Sequence, residues 1–152
     1  MILEYIPYAL CAVLFVAFVL ELRTGKIPNW LTLLPFLLFI IVAAMAEDRS
    51  ALAWQMALAA GVFIGGLLLF AFAGFGAGAV KLMTGLALFI PLSKAVMALV
   101  VFIASLFVGV VLVLFLRNLI GSEESKWHVL AKNIMPMSLP IFATALAVFF
   151  YL

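Results

Sequence analysis

Long apolar runs, separated by a few short polar segments, fill almost the whole of this sequence. Of its 152 residues, 70% are hydrophobic and 9% are charged, whereas soluble domains contain about half and about a quarter, respectively. A helix of about 20 apolar residues crosses the hydrocarbon core of a bilayer. The pattern therefore predicts an all-α membrane protein, a polytopic bundle of about six transmembrane helices, one of them short, in a single domain that covers residues 1–152.

Six apolar elements are delimited by the polar segments. They cover residues 2–20, 30–46, 51–72, 80–90, 95–116 and 137–152, and the longest polar segment runs from Arg117 to Lys132. The fourth element has 11 residues. As a helix it would rise only about 16 Å, so it is predicted to be short, tilted or half-buried. In the third element, Gly61 and Gly65 have the G-x-x-x-G spacing that favours close helix packing.

The basic residues predict how these elements are oriented. With the N-terminus outside, six basic residues fall on the cytoplasmic side and two, Arg49 and Lys94, fall outside, in agreement with the positive-inside rule. The six are Arg23, Lys26, Lys81, Arg117, Lys126 and Lys132. The single cysteine, Cys11, and the single histidine, His128, argue against an internal disulfide and a zinc site. No metal, cofactor or nucleic-acid partner is expected.

Two segments on the predicted cytoplasmic face stand out. Residues 21–29 read Glu-Leu-Arg-Thr-Gly-Lys-Ile-Pro-Asn, and residues 74–83 read Gly-Phe-Gly-Ala-Gly-Ala-Val-Lys-Leu-Met. Closely spaced glycines let another backbone approach, and an intramembrane lysine marks a functional site by default. A phosphate-binding loop is excluded, because no strand precedes the glycines and no Gly-Lys-Ser/Thr follows them.

Together, the two segments resemble the type IV prepilin peptidases, which are membrane aspartic peptidases of bacteria, and the related preflagellin peptidases of archaea. Residues 21–29 are similar to the family's acidic-x-Arg-x-x-x-Ile-Pro-Asn motif, and residues 76–82 are similar to its Gly-x-Gly-Asp-x-Lys-Leu motif. The resemblance covers essentially the whole chain and is to the short form that serves Flp-type pili.

The resemblance implies a multi-pass protein of the bacterial inner membrane that cleaves pilin precursors at the cytoplasmic face. Its partners would be membrane lipid and a prepilin substrate, which has a leader peptide followed by an apolar helix. The N-methyltransferase activity of the longer family members is not implied.

The resemblance also implies one catalytic aspartate in each motif. Two nearby carboxylates share a proton, so that one activates a water while the other polarises the scissile carbonyl. Here Glu21 occupies the first position and Ala79 the second. Since alanine holds neither a proton nor a water, the chain is expected to be catalytically inactive. Substrate binding or structural support at this site is expected from Lys26, Asn29, Gly76, Gly78 and Lys81.

Other interpretations stay open. Glu21 fits a helix-end carboxylate paired with Arg23 or Lys26, and Lys81 fits a side chain that snorkels to the lipid headgroups. The alternative function is a non-catalytic pseudopeptidase that binds prepilin or pilus-assembly proteins, and Ala79 is either an engineered or a natural change. A small transporter or channel subunit is disfavoured, because the spans are apolar at the bilayer midplane.

Overall fold

The computed structural model describes residues 2–46, 48–120 and 136–151, and every regular element within these ranges is helical. The six α-helices confirm the predicted all-α class. They are α1 (Ile2–Thr24), α2 (Asn29–Met45), α3 (Arg49–Ala73), α4 (Ala77–Ala87), α5 (Ala95–Ile120) and α6 (Ser138–Phe150), with a 3₁₀ turn at Leu92–Lys94 before α5. Among the residues that the structure describes, three segments are long and apolar enough to cross a membrane, namely Glu4–Thr24, Arg49–Phe72 and Leu92–Phe115.

Two of the helices, α4 and α6, are short. The 11 residues of α4 and the 13 of α6 rise about 16 Å and about 20 Å, less than the roughly 30 Å of a hydrocarbon core. The sequence predicted a short fourth element, and the last apolar run, residues 137–152, also has only 16 residues, of which Ser138–Phe150 form regular helix.

The boundary of the long polar segment differs from the prediction. Helix α5 continues one turn past the predicted boundary, through Arg117 to Ile120. The remainder of the predicted segment falls within residues 121–135, which lie outside the described residues, as do Lys126, His128 and Lys132.

Local backbone chemistry sets the helix ends near the site. Gly25, at φ 68°, closes α1 by donating its backbone N–H to the Glu21 carbonyl at 2.8 Å. Pro28, at φ −68°, immediately precedes α2, a position that suits its fixed φ and its missing N–H. Gly74, at φ 70°, ends α3 in the left-handed conformation that favours glycine. The turn between α1 and α2 and the end of α3 therefore follow directly from Gly25, Pro28 and Gly74.

Helices α1 and α6 pack antiparallel along their length. Tyr8, early in α1, contacts Phe150 at the end of α6 in a tilted arrangement, with ring centroids 5.3 Å apart. Phe15, about two turns further along α1, contacts Phe142 near the start of α6, with centroids 5.7 Å apart. The end of α1 consequently lies at the beginning of α6.

Helix α4 lies inside the bundle, against α2, α3 and α6. Two glycines permit this close approach. A Cβ on Gly66 of α3 would lie 2.7 Å from Val80 Cγ1, and a Cβ on Gly85 of α4 would lie 2.7 Å from Pro35 Cβ on α2. Close packing at Gly61 and Gly65 does not occur within the described part of the chain, because no neighbouring described atom lies within 4 Å of a Cβ built at either position. The face of α3 that meets α4 carries Gly66 instead.

We expect Gly85→Ala to lower the thermal stability of the purified protein in detergent. The new methyl group meets the rigid Pro35 ring, and overpacking of this kind costs about 1–3 kcal/mol. Gly61→Ala is the matched control, since it adds the same methyl group to a helix with open space around it. That control should unfold at the parental temperature or above, because alanine favours helix over glycine by about 1 kcal/mol. Equal unfolding temperatures for the two variants would contradict the packing described for α4.

Candidate functional site

The buried stripe of α1 ends in a carboxylate. Leu10, Leu14 and Ala17 are fully buried, and Glu21, only 6% exposed, follows them at the same helical spacing. A carboxylate among apolar side chains needs hydrogen-bond donors. The donors come from the start of α6: the Ser138 backbone N–H donates to Glu21 Oε2 at 2.7 Å, the Ser138 hydroxyl donates to the same oxygen, and the Met137 backbone N–H also bonds to the carboxylate. Glu21 is thus held by the last helix of the bundle.

The carboxylate of Glu21 acts as a cap for α6. Ser138 is the first residue of that helix, where backbone N–H groups have no partner within the helix. No side chain at the preceding position caps α6, so the acceptor arrives from a residue 117 positions earlier in the chain. Negative charge at a helix N-terminus is also favoured by the helix dipole. This pairing explains how the protein tolerates a buried acid.

Sequence reasoning missed Ser138. The available signal was a serine two residues after Pro136, since serine is a preferred residue where helices begin. That signal predicts a helix start but does not reveal the partner across the bundle.

The second predicted catalytic position lies in the core. Ala79 is 1% exposed and belongs to the same buried cluster as Ala17, Leu82 and Leu86. It lies in the first turn of α4, whose buried face continues from it. Its methyl group fills apolar space and offers no hydrogen-bonding atom.

Two contacts hold the segment after α1 against the start of α4. Lys81 donates from Nζ to Asn29 Oδ1 at 3.1 Å. A Cβ on Gly78 would lie 3.0 Å from Ile27 Cβ and 3.3 Å from its carbonyl oxygen, so the backbones approach closely here. The structure therefore brings together Asn29, Gly78 and Lys81, which sequence reasoning had placed at one site.

The remaining predicted residues lie at the edge of this arrangement. Gly76 immediately precedes α4, at φ −67°, with no described atom within 4 Å of a Cβ built on it. Lys26 is exposed in the turn between α1 and α2, where its backbone N–H and carbonyl both bond to the Thr24 hydroxyl. The pairing of Glu21 with residue 79 across a shared water stays a prediction.

Among the residues that the structure describes, Glu21 is the only buried acid. Glu4 is exposed, and Asp48 is an exposed cap of α3. Hydrogen bonds from the Ser50 side chain and from the Ala51 and Ser50 backbone hold the pKa of Asp48 below its usual value. Glu47, Glu123 and Glu124 lie outside the described residues. In the described part of the chain, no group of three or more His, Cys, Asp or Glu residues could hold a metal ion.

Comparison with known proteins gives one match. A model of the type IV leader peptidase family matches residues 8–122, about three quarters of the chain. Residues 21–29 and 74–83 both lie within the matched region, whereas α6, which begins at Ser138, lies beyond it. No curated protein and no solved structure matches the chain.

We expect Glu21→Ala to destabilise the protein, because it leaves two buried donors of Ser138 without an acceptor. A buried donor without a partner costs about 1–3 kcal/mol. Glu21→Gln, which keeps an oxygen of the same reach, is the control and should retain most of the stability. Thermal unfolding in detergent measures both, and a cycle with Ser138→Ala separates the hydroxyl from the backbone N–H. If Glu21→Ala proved as stable as Glu21→Gln, the capping role would be refuted.

Proposed function

The chain belongs to the type IV leader peptidase family, and we propose that it engages prepilin-type precursors in the membrane without cleaving them. One observation carries the proposal: the only buried acid among the described residues is bound to Ser138, and residue 79, to which the resemblance assigns the second catalytic position, carries only a buried methyl group. We infer that Glu21 and Ala79 mark the former catalytic pair.

The chemistry of an aspartic peptidase supports this assignment. Cleavage needs one carboxylate to take a proton from water and a second to donate one to the scissile carbonyl. Glu21 Oε2 already accepts two hydrogen bonds from α6, and Ala79 has no proton to give. A precursor held at this site would therefore keep its leader.

The polar groups around the site suit recognition of a leader peptide. Lys81 and Asn29 form an exposed, hydrogen-bonded pair beside the close contact of Gly78 with Ile27. Such groups offer donors and acceptors to an extended peptide backbone. We propose that Lys26 and Gly76 complete this surface, and that residues 1–152 act as one domain.

We also propose a location for the protein: a multi-pass protein of the bacterial inner membrane, with the Glu21 end of α1 on the cytoplasmic side. The three long apolar helices support insertion in a membrane. Lys26 and Lys81 lie at one end of the bundle, and Arg49 lies at the start of α3, which agrees with a cytoplasmic excess of basic residues.

This orientation predicts the labelling of single cysteines in a Cys11→Ala background. In intact cells, a membrane-impermeant thiol reagent should label Ser50→Cys and should leave Lys26→Cys unlabelled until the membrane is permeabilised. Both positions are exposed, so access to the reagent depends on the side of the membrane. The reverse pattern would refute the proposed orientation.

We expect Ala79→Asp to restore cleavage of a co-expressed Flp-type prepilin, read as a mobility shift, while the parental chain leaves the precursor intact. Glu21 reaches about 1.5 Å further than an aspartate, and a 1 Å misplacement costs up to about 10²-fold in rate. Ala79→Asp combined with Glu21→Asp should therefore exceed Ala79→Asp alone by up to about 10²-fold. Ala79→Asn, which has the same shape but no titratable proton, is the control and should remain inactive.

Two results would count against the proposal. Cleavage by the parental chain would show that Ala79 does not disable the site. A folded double-aspartate variant that neither cleaves nor co-purifies with any tested prepilin would remove the precursor as the partner.

A further inference from the structure

An apolar groove of about 270 Å³ lies among α3, α4, α5 and α6. The polar side chain in its lining, Thr144, donates its hydroxyl to the Pro140 carbonyl at 2.7 Å. The other lining side chains are apolar and include Leu58, Val62, Leu86, Ile90, Leu99 and Phe102. An occupant of the groove therefore needs no polar group to match the walls.

The groove opens on the side of the bundle that faces lipid. Val96 and Leu99, on its α5 wall, are 75% and 58% exposed. Both belong to Leu92–Phe115, a segment long and apolar enough to cross a membrane. In a bilayer these exposed side chains face hydrocarbon rather than water. The groove is therefore open to the acyl chains of the surrounding lipid.

One end of the groove is the turn that joins α4 to α5. Ile90 lines the groove just before the Leu92–Lys94 turn, and Ala95 lines it just after. From this turn the lining runs back to Met83 on one side and forward to Phe102 on the other, seven residues each way. Seven helical residues rise about 10 Å, which is about two thirds of the roughly 15 Å hydrocarbon depth of one leaflet. The groove thus has the length of the upper part of an acyl chain.

A cation lies at the same end. Lys94 is partly exposed and directly precedes Ala95 of the groove lining. Within the described part of the chain, its ammonium has neither a hydrogen-bond partner nor an ion-pair partner. Ser93, beside it, is exposed and carries a hydroxyl donor. A lysine ammonium binds phosphate as a point charge, so a phosphate-binding group adjoins an apolar groove.

We propose that the groove binds an anionic phospholipid, with the phosphate at Lys94 and one acyl chain along the apolar walls. An anionic headgroup without an ammonium of its own leaves Lys94 as its counter-charge, whereas a zwitterionic headgroup brings a competing cation. Lys94 lies beyond the end of α4 and Lys81 near its start. In the proposed orientation the lipid therefore comes from the outer leaflet. Binding at this site requires membrane insertion and is independent of prepilin recognition.

Lys94 also argues for a lipid rather than a transmembrane helix as the occupant. An apolar helix that filled the groove to its end would cover the ammonium without supplying an anion, and covering an unpaired charge is costly. A phospholipid supplies the chain and the anion in one molecule. A second copy of the chain or a precursor helix would have to bring an acid to the same position.

Photo-cross-linking in vesicles tests the site with the full chain. The protein is reconstituted in phosphatidylcholine with a trace of phosphatidylglycerol that carries a photoreactive group on one acyl chain, and adducts are mapped by mass spectrometry. We expect adducts at Leu86, Leu99 and Phe102 to exceed those at Val108, an exposed α5 residue outside the groove. The same photoreactive chain on phosphatidylcholine should give about fivefold fewer groove adducts, the factor typical of one lysine at an anionic membrane surface.

Lys94→Gln should lower the phosphatidylglycerol adducts in the groove about fivefold, to the level of the phosphatidylcholine probe. Arg49→Gln is the matched control, since Arg49 is the other basic residue predicted on the outer side. It precedes Leu58, the first α3 residue of the lining, by nine residues, or about 13 Å along the helix. The control should keep the parental adduct yield.

A groove-filling variant tests the acyl-chain half of the site. Leu99→Trp places an indole at the groove from an exposed position, so we expect fewer adducts at Leu86 and Phe102 at unchanged thermal stability. Val108→Trp, on the exposed face outside the groove, should leave these adducts unchanged.

Three results would overturn the lipid site. Equal adduct yields at the groove and at Val108 would mean that only bulk lipid is in contact. Equal losses in Lys94→Gln and Arg49→Gln would assign the effect to general surface charge. An unlabelled groove that cross-links to a second copy of the chain, or that prepilin protects, would identify a different occupant. Cleavage and co-purification of prepilin are measured separately, so the proposed function stands or falls on its own.

Discussion

A carboxylate buried in an apolar bundle needs donors, and in this protein the first residue of the last helix supplies them. Glu21 is 6% exposed, and both hydrogen bonds to its Oε2 come from Ser138. A buried polar group left unpaired would cost about 1–3 kcal/mol, and an unpaired charge would cost more. These bonds join the start of α6 to the end of α1, and the packing of Phe142 on Phe15 continues the contact between the two helices.

Helix α4 depends on contacts of a different kind. It is too short to cross a bilayer, and it is held where glycine lets a neighbour approach: Gly66 against Val80, Gly85 against Pro35 and Gly78 against Ile27. These contacts lie on α3, on α2 and on the turn before α2, so they enclose α4 on several sides. Residue 79 consequently has a fixed place in the core, and its side chain determines whether the chain carries one carboxylate or two at this end.

Much of the fold could be predicted from the sequence, because apolar runs and their polar interruptions are local. The helical class of the described residues, the short α4 and the turn at Gly25 followed from such signals. The two motifs also predicted that Asn29 and Lys81 would lie together, since both were assigned to one face of the bundle.

The rest could not be predicted, because it depends on how helices are rotated and paired. A G-x-x-x-G spacing indicated packing at Gly61 and Gly65, but the orientation of α3 places Gly66 in the contact. Ser138 reaches Glu21 across 117 residues, a separation at which no periodicity carries information. The apolar groove, lined by side chains of α3, α4, α5 and α6, takes its shape only when the four helices are assembled. Synthesis of the chain also separates Glu21 from Ser138 in time: at about 5–20 residues per second, the ribosome reaches Ser138 roughly 6–23 s after Glu21. Throughout that interval the acid of the first helix has none of the donors that it has in the finished protein. Membrane insertion thus begins with a helix whose buried acid gains its hydrogen bonds only after the last helix has been synthesised.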